Sequence, residues 1–139
     1  MIAITIYFEF TNNLSTDSEE EINEMVLDAK TISNSLMSKG YPTDWNVTTV
    51  QKIGLTNGNY RINQTKIESF ANITVADARS MFDTRFNYYV QLKMQNGTII
   101  KINGNDGIGT PVNTTSKLVQ ITRAVIYDSS ITRLVIQLW

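Results

Sequence analysis

The stretch 15–42, STDSEEEINEMVLDAKTISNSLMSKGYP, decides how the rest of the chain is read. Ile22, Met25, Val26, Ala29, Ile32, Leu36 and Met37 recur at intervals of three and four, which aligns them as one apolar stripe along an α-helix. Ser15, Thr16 and Ser18 offer N-cap hydroxyls, and Thr16 to Glu19 and Ser18 to Glu21 have capping-box spacing. Gly40 stands where a left-handed C-cap belongs, and Pro42 blocks continuation. The spacing therefore predicts a helix over Ser18–Lys39. A helix with one apolar stripe needs a second layer to cover it.

That layer is written downstream, where the period changes to two. Phe86, Tyr88, Val90, Leu92 and Met94 fall on one side of a strand, and Asn87, Tyr89, Gln91, Lys93 and Gln95 on the other. Asn96-Gly97 is the dipeptide of a two-residue type I′ hairpin, with a return strand over Thr98–Ile102. After a loop over Asn103–Ser116 come strands over Leu118–Tyr127 and Ile131–Trp139, joined by Asp128-Ser129-Ser130. Both carry apolar residues on consecutive positions (Val125 and Ile126, Leu134 and Val135), the mark of strands that are central or covered. The first ten residues also alternate, from Ile2 to Phe10.

The middle is less regular. Tyr41, Pro42 and Trp45 form an aromatic turn, Val50–Leu55 reads as a short strand, and Thr56-Asn57-Gly58-Asn59 is a turn cluster. Asn63 caps a short helix carrying Ile67 and Phe70, and Thr74 caps another carrying Val75, Ala78, Met81 and Phe82. Helix first and antiparallel strands after give an α+β class, an N-terminal amphipathic helix packed on a mainly antiparallel sheet. At 139 residues the chain fits one domain, 1–139.

Composition narrows the chemistry. With no His and no Cys, the chain has no Ser-His or Cys-His nucleophile, no thiolate zinc site and no disulfide framework. A net charge of −1 and no basic cluster argue against nucleic acid as a partner. Thr, Asn and Ser supply 41 residues, and six of the 14 Asn lie in Asn-x-Ser/Thr sequons, against about two to three expected by chance. This excess favours an N-glycosylated protein outside the cell; caps and turns are the competing use of the same residues. Asn63 and Asn72 belong to helix-capping segments, which leaves Asn13, Asn46, Asn96 and Asn113 as the glycosylation candidates.

Residues 1–28 hold seven acids and no base, whereas 29–139 hold six acids and twelve bases. Glu19, Glu20, Glu21 and Glu24 suit the positive end of the helix dipole, but the imbalance exceeds what a cap needs. It predicts that the acidic end docks on a basic face, of the same molecule or of a neighbour. Glu20 and Glu24 are the candidate acidic contacts. Arg123 and Arg133 either cross-link the final hairpin or meet the acidic helix of another subunit. Glu20, Glu24 and Asp28 lie opposite the apolar stripe, on a face normally solvated, whereas a catalytic carboxylate pair needs a cleft. The loop Asn103–Gly109 misses the EF-hand register and leads into no helix, so it reads as a glycine-rich connection. No residue is assigned a catalytic, cofactor-binding or metal-ligating role, and no cofactor is expected.

Spaced phrases carry a further signal. Lys30–Leu36 runs into Gly40–Asn46, followed by Ile53–Thr56, Arg61–Ile67, Thr84–Tyr89, Leu118–Arg123 and Val125–Tyr127. Over about residues 28–139 the chain resembles the membrane-anchored, type IV pilin-like surface proteins of archaea. The resemblance implies an extracellular head on the archaeal cell surface, a non-enzymatic structural or attachment protein of the envelope, with other pilin-like subunits or envelope proteins as partners. It also implies an N-terminal hydrophobic anchor helix. Met1–Phe8 is too short an apolar run to span a bilayer, so membrane contact is expected only through an anchor absent from this chain. Residues 1–14 are then either a strand or the stump of that anchor. The alternative is a monomeric extracellular module binding a glycan or Ca²⁺ through the Tyr41–Trp45 corner or the Asn103–Gly109 loop.

Overall fold

In the computed structural model, which describes residues 4–10, 16–113 and 117–139 (4–10 and 16–18 by their backbone), the striped helix α1 spans Thr16–Met37. It is preceded by strand β1, Ile4–Phe10, and followed by α2, Gln64–Asn72, and α3, Val75–Phe82. Then come β2, Tyr88–Met94; β3, Ile99–Ile100; β4, Ile108–Gly109; β5, Lys117–Tyr127; and β6, Ser130–Leu138. The sheet order is β1-β5-β6-β2-β3, with β4 paired to β2 beside β3, and all of these strand pairings are antiparallel. The class is α+β, an N-terminal helix against an antiparallel sheet.

The stripe does what its spacing predicts. Ile22, Met25, Ala29, Ile32 and Leu36 are buried, with Val26 and Met37 partly so, and α1 lies on β5 and β6. From the sheet, Val119, Ile121 and Val125 of β5, Leu134, Ile136 and Leu138 of β6, and Tyr88, Val90 and Leu92 of β2 complete the core. Leu92 and Leu134 are register partners, as are Val90 and Ile136, so the core face of each strand follows one alternation. β5 and β6 are central in the strand order, and on their second face Val135 is buried while Ile126 is only partly so. Met94, expected on the core face, is 47% exposed because β2 runs past the end of the helical layer.

α2 and α3 close the core by an aromatic cluster. Phe70 stacks on Tyr88 at 5.9 Å with an interplanar angle of 19°, and Phe82 meets both edge-on at 6.0 and 5.7 Å. Both helices carry the caps expected: the Asn63 side chain accepts from Lys66 N–H, and Thr74 from Asp77 N–H. Tyr88 is fully buried, its hydroxyl has no hydrogen-bond partner, and burial pushes its phenol up to about 12 against a smaller opposing effect of the Arg79 charge. The unfolded chain releases this proton near pH 10 and the folded chain only near 12. Tyr88 therefore adds stability that is complete below pH 10 and lost as pH rises to about 12. Denaturant midpoints measured from pH 8 to 12 are expected to fall above pH 10, and Tyr88→Phe to fall less steeply.

Val50–Leu55 is not a strand. Tyr41 and Lys52 exchange hydrogen bonds, and Leu55 N–H and Thr56 N–H donate to Leu36 C=O and Ser38 C=O. The segment is held by the orphan carbonyls at the end of α1 rather than by a neighbouring strand. Gly40 takes the left-handed conformation expected of it, with φ +77. Of the two readings of residues 1–14, a strand is what Ile4–Phe10 form, antiparallel to β5 with Ile6 opposite Ile121.

The turns depart from their dipeptides. Asn96-Gly97 forms a three-residue loop: Gly97 N–H donates to Met94 C=O, Met94 N–H to Thr98 C=O, and only Gly97 has positive φ. This is a type I turn followed by a left-handed glycine bulge. The two-residue pattern with positive φ at both positions occurs instead at Asn103-Gly104 and at Asp128-Ser129.

Candidate functional site

The acidic end of α1 is spent within the molecule. Glu24 makes a two-point contact with Arg85, Nη2 to Oε2 at 2.9 Å and Nε to Oε1 at 3.2 Å. Glu21 pairs with Lys117 at the start of β5 and lies 4.0 Å from Arg85, while Asp28 accepts from Thr84 Oγ1 at 2.7 Å. The Arg85 hydrogen bond holds the Glu24 carboxyl below its ordinary value. These contacts fasten the Asp83–Phe86 connection and β5 to the helix, so the charge imbalance is partly an internal clamp. Glu20 stays exposed.

Arg85 and Lys117, rather than Arg123 and Arg133, are the internal partners of the acidic end. Arg123 reaches the other half of α1, donating from Nη1 to Ser33 Oγ at 2.8 Å and to Asn34 Oδ1 at 3.2 Å. Ser33 is buried for that reason. Arg133 donates from Nη2 to Gln95 C=O at 2.6 Å, which ties β6 to the β2–β3 hairpin. Periodicity had no means of finding Arg85 or Lys117, which lie 61 and 96 residues from their partners.

A buried lysine was also missed. Lys66 of α2 donates to Lys39 C=O at 2.9 Å and to Thr56 C=O at 3.1 Å. Burial draws its ammonium below the ordinary value, helped by Lys39 and opposed by Asp44. Both acceptors lie beyond Met37, so Lys66 ties the chain that leaves α1 to the turn at Thr56.

The sequon residues divide by use. Asn46, Asn96 and Asn113 are exposed; Asn46 Oδ1 accepts from Thr48 and Thr49 N–H, and Asn96 Oδ1 from Thr98 N–H. Asn63 donates from Nδ2 to Asn57 and caps α2. Asn13 lies outside the described residues.

Of the two aromatic rings at the Tyr41–Trp45 corner, one is buried. Trp45 is 3% exposed and its Nε1 donates to Gly54 C=O at 2.9 Å, so it seals the end of α1, leaving only Tyr41 at the surface. The Asn103–Gly109 loop borders a depression of about 560 Å³ with Tyr89, Asn105 and Asp106 on its walls. Gly107 packs closely on the Tyr89 ring, whose Cζ lies 2.5 Å from where a Cβ would stand. Among the described residues no three carboxylates gather to hold a metal ion, and no helix is long and apolar enough to cross a membrane.

A second hollow, of about 540 Å³, opens between the β2–β3 and β5–β6 turns, lined by Met94, Gln95, Ile100, Tyr127, Asp128 and Ile131 among others. Met94 is 47% and Ile131 59% exposed there. Comparison with known proteins finds no matching family model, no matching curated protein and no matching solved structure.

Proposed function

We propose that this chain is the extracellular head of an archaeal, type IV pilin-like surface protein, a non-enzymatic structural or attachment subunit of the envelope. The observation that carries the reading is α1 lying across β5 and β6 of an antiparallel sheet. Its opposite face carries Gln137 donating to Gln120 at 2.9 Å, Thr122 beside Val135, and Lys93 beside Arg133. Exposed sequons at Asn46, Asn96 and Asn113 fit the same setting. Antibody labelling of intact source cells tests it: surface label is expected, together with added glycan mass on Asn46, Asn96 or Asn113 in the native protein. Label appearing only after lysis overturns it.

The Tyr89, Asn105 and Asp106 depression favours a second reading, a glycan- or Ca²⁺-binding module. Calorimetric titration with Ca²⁺ and a glycan array separates the two, since the pilin-like reading expects neither response.

A further inference from the structure

We propose that Asn103 is a self-modifying site: its side-chain amide is lost to water through the backbone nitrogen of Gly104, and the change releases the Asn103–Gly109 loop from α2.

The chain contains three Asn-Gly pairs, Asn57-Gly58, Asn96-Gly97 and Asn103-Gly104. In such a pair no Cβ on the second residue obstructs the approach of its nitrogen to the asparagine Cγ. Attack forms an N–Cγ bond and closes a succinimide ring. The Cγ–Nδ2 bond breaks, and the side-chain nitrogen leaves as ammonia with the proton of the glycine amide. Water then opens the ring, to aspartate or, through the other carbonyl, to isoaspartate, in which the chain runs through the former side chain. Water is the only co-reactant.

The fold separates the three pairs. Gly58 N–H donates to Thr56 Oγ1 at 3.0 Å, and Gly97 N–H donates to Met94 C=O at 2.9 Å. At the third pair, Ile102 and Asn105 exchange both backbone bonds, at 2.9 and 3.0 Å, around Asn103 and Gly104 with φ +51 and +80. Among the described residues, neither Asn103 C=O nor Gly104 N–H has a hydrogen-bond partner. The peptide unit between them therefore flips without breaking the bonds that close the turn. The flip exchanges a type I′ turn for a type II′ turn, and Asn103 ψ moves from about +30° to about −120°. At that ψ the Gly104 nitrogen eclipses Asn103 Cβ and comes within reach of Cγ. Both residues are exposed, and a Cβ on Gly104 would meet nothing within 4 Å.

The consequence is local. Asn103 Nδ2 donates to Glu68 C=O at 3.3 Å, a bond that ties the loop to α2. Aspartate sets a carboxylate oxygen against that carbonyl, acceptor against acceptor, and the tie is lost. The loop and the end of α2 are two walls of the depression that holds Tyr89 and Asp106, so modification loosens one wall.

Peptide mapping by mass, on the full chain kept folded at mildly alkaline pH, tests this. Asn103 is expected to convert from amide to acid about two- to tenfold faster than Asn57 or Asn96, the rate equivalent of the hydrogen bond each of those must first break. In urea the three rates should converge. Gly104→Ala should slow Asn103 and leave Asn57 and Asn96 unchanged, with circular dichroism checking the fold. Asn103→Asp, which fixes the product, should raise amide hydrogen exchange over residues 103–109 and leave β5 and β6 as they were. Conversion at Asn103 no faster than at the other two in the folded chain overturns the proposal, as does the same ranking in urea. Unchanged exchange in Asn103→Asp overturns the release of the loop.

Discussion

Replacing Phe70 with alanine is expected to cost about 3–5 kcal/mol. Phe70 is fully buried, stacked on Tyr88 and met edge-on by Phe82, so its removal opens a hole where α2, α3 and β2 join. Rigid strand and helix backbones on either side leave little room for collapse. Against a total stability of roughly 5–15 kcal/mol, the loss is a large fraction. Thermal unfolding followed by circular dichroism should show a midpoint lowered by about 10–20 °C. Phe70→Leu keeps most of the volume and loses chiefly the ring contacts, about 0.5–1.5 kcal/mol. Equal losses for the two variants would show that the aromatic cluster is not the anchor of this region.

Gly54→Ala is expected to destabilise by about 3 kcal/mol or more, for a different reason. A Cβ at Gly54 would stand 2.1 Å from Gly40 N and 2.5 Å from Ser38 O. These are backbone atoms at the end of α1, and they are fixed by bonds from Leu55 and Thr56 to Leu36 and Ser38 and by the Trp45 indole on Gly54 C=O. The methyl has no rotamer by which to escape. Gly97→Ala is the control: it has open space around it but φ +89, so it carries only the conformational penalty of about 1–2 kcal/mol. Urea midpoints that rank Gly97→Ala as the more damaging would reject the close approach of the two segments.

How much of this was readable in advance differs by feature, for physical reasons. The α1 stripe and the β2 alternation were readable because a helix or strand buries one face, and that face repeats along a short window. The caps at Asn63 and Thr74 were readable because a cap is made within a few residues. Val50–Leu55 has the apolar content of a strand, yet its hydrogen-bond partners are helix-end carbonyls, which no pattern within the segment encodes. Asn96-Gly97 has the composition of a type I′ turn, but turn type follows the register of the strands it joins. Asp128-Ser129, with no glycine, takes that conformation because β5 and β6 pair through Tyr127 and Ser130.

The charged residues show the boundary most clearly. The count of acids before residue 29 indicated that the helix start seeks a basic surface, and that much follows from Coulomb attraction alone. Which bases answer it, Arg85 and Lys117 rather than Arg123 and Arg133, depends on strand order and on the path of the chain across the core. By itself the sequence determined the striped helix, the antiparallel strands and the α+β class, because burial and backbone hydrogen bonding impose local periods. Only the tertiary structure decided that Trp45 seals a helix end, that Lys66 ties the chain after α1 to Thr56, and that Leu27 is left bare on the same molecule as an apolar hollow. Those outcomes join residues distant in the chain, where packing geometry rather than periodicity chooses the neighbours.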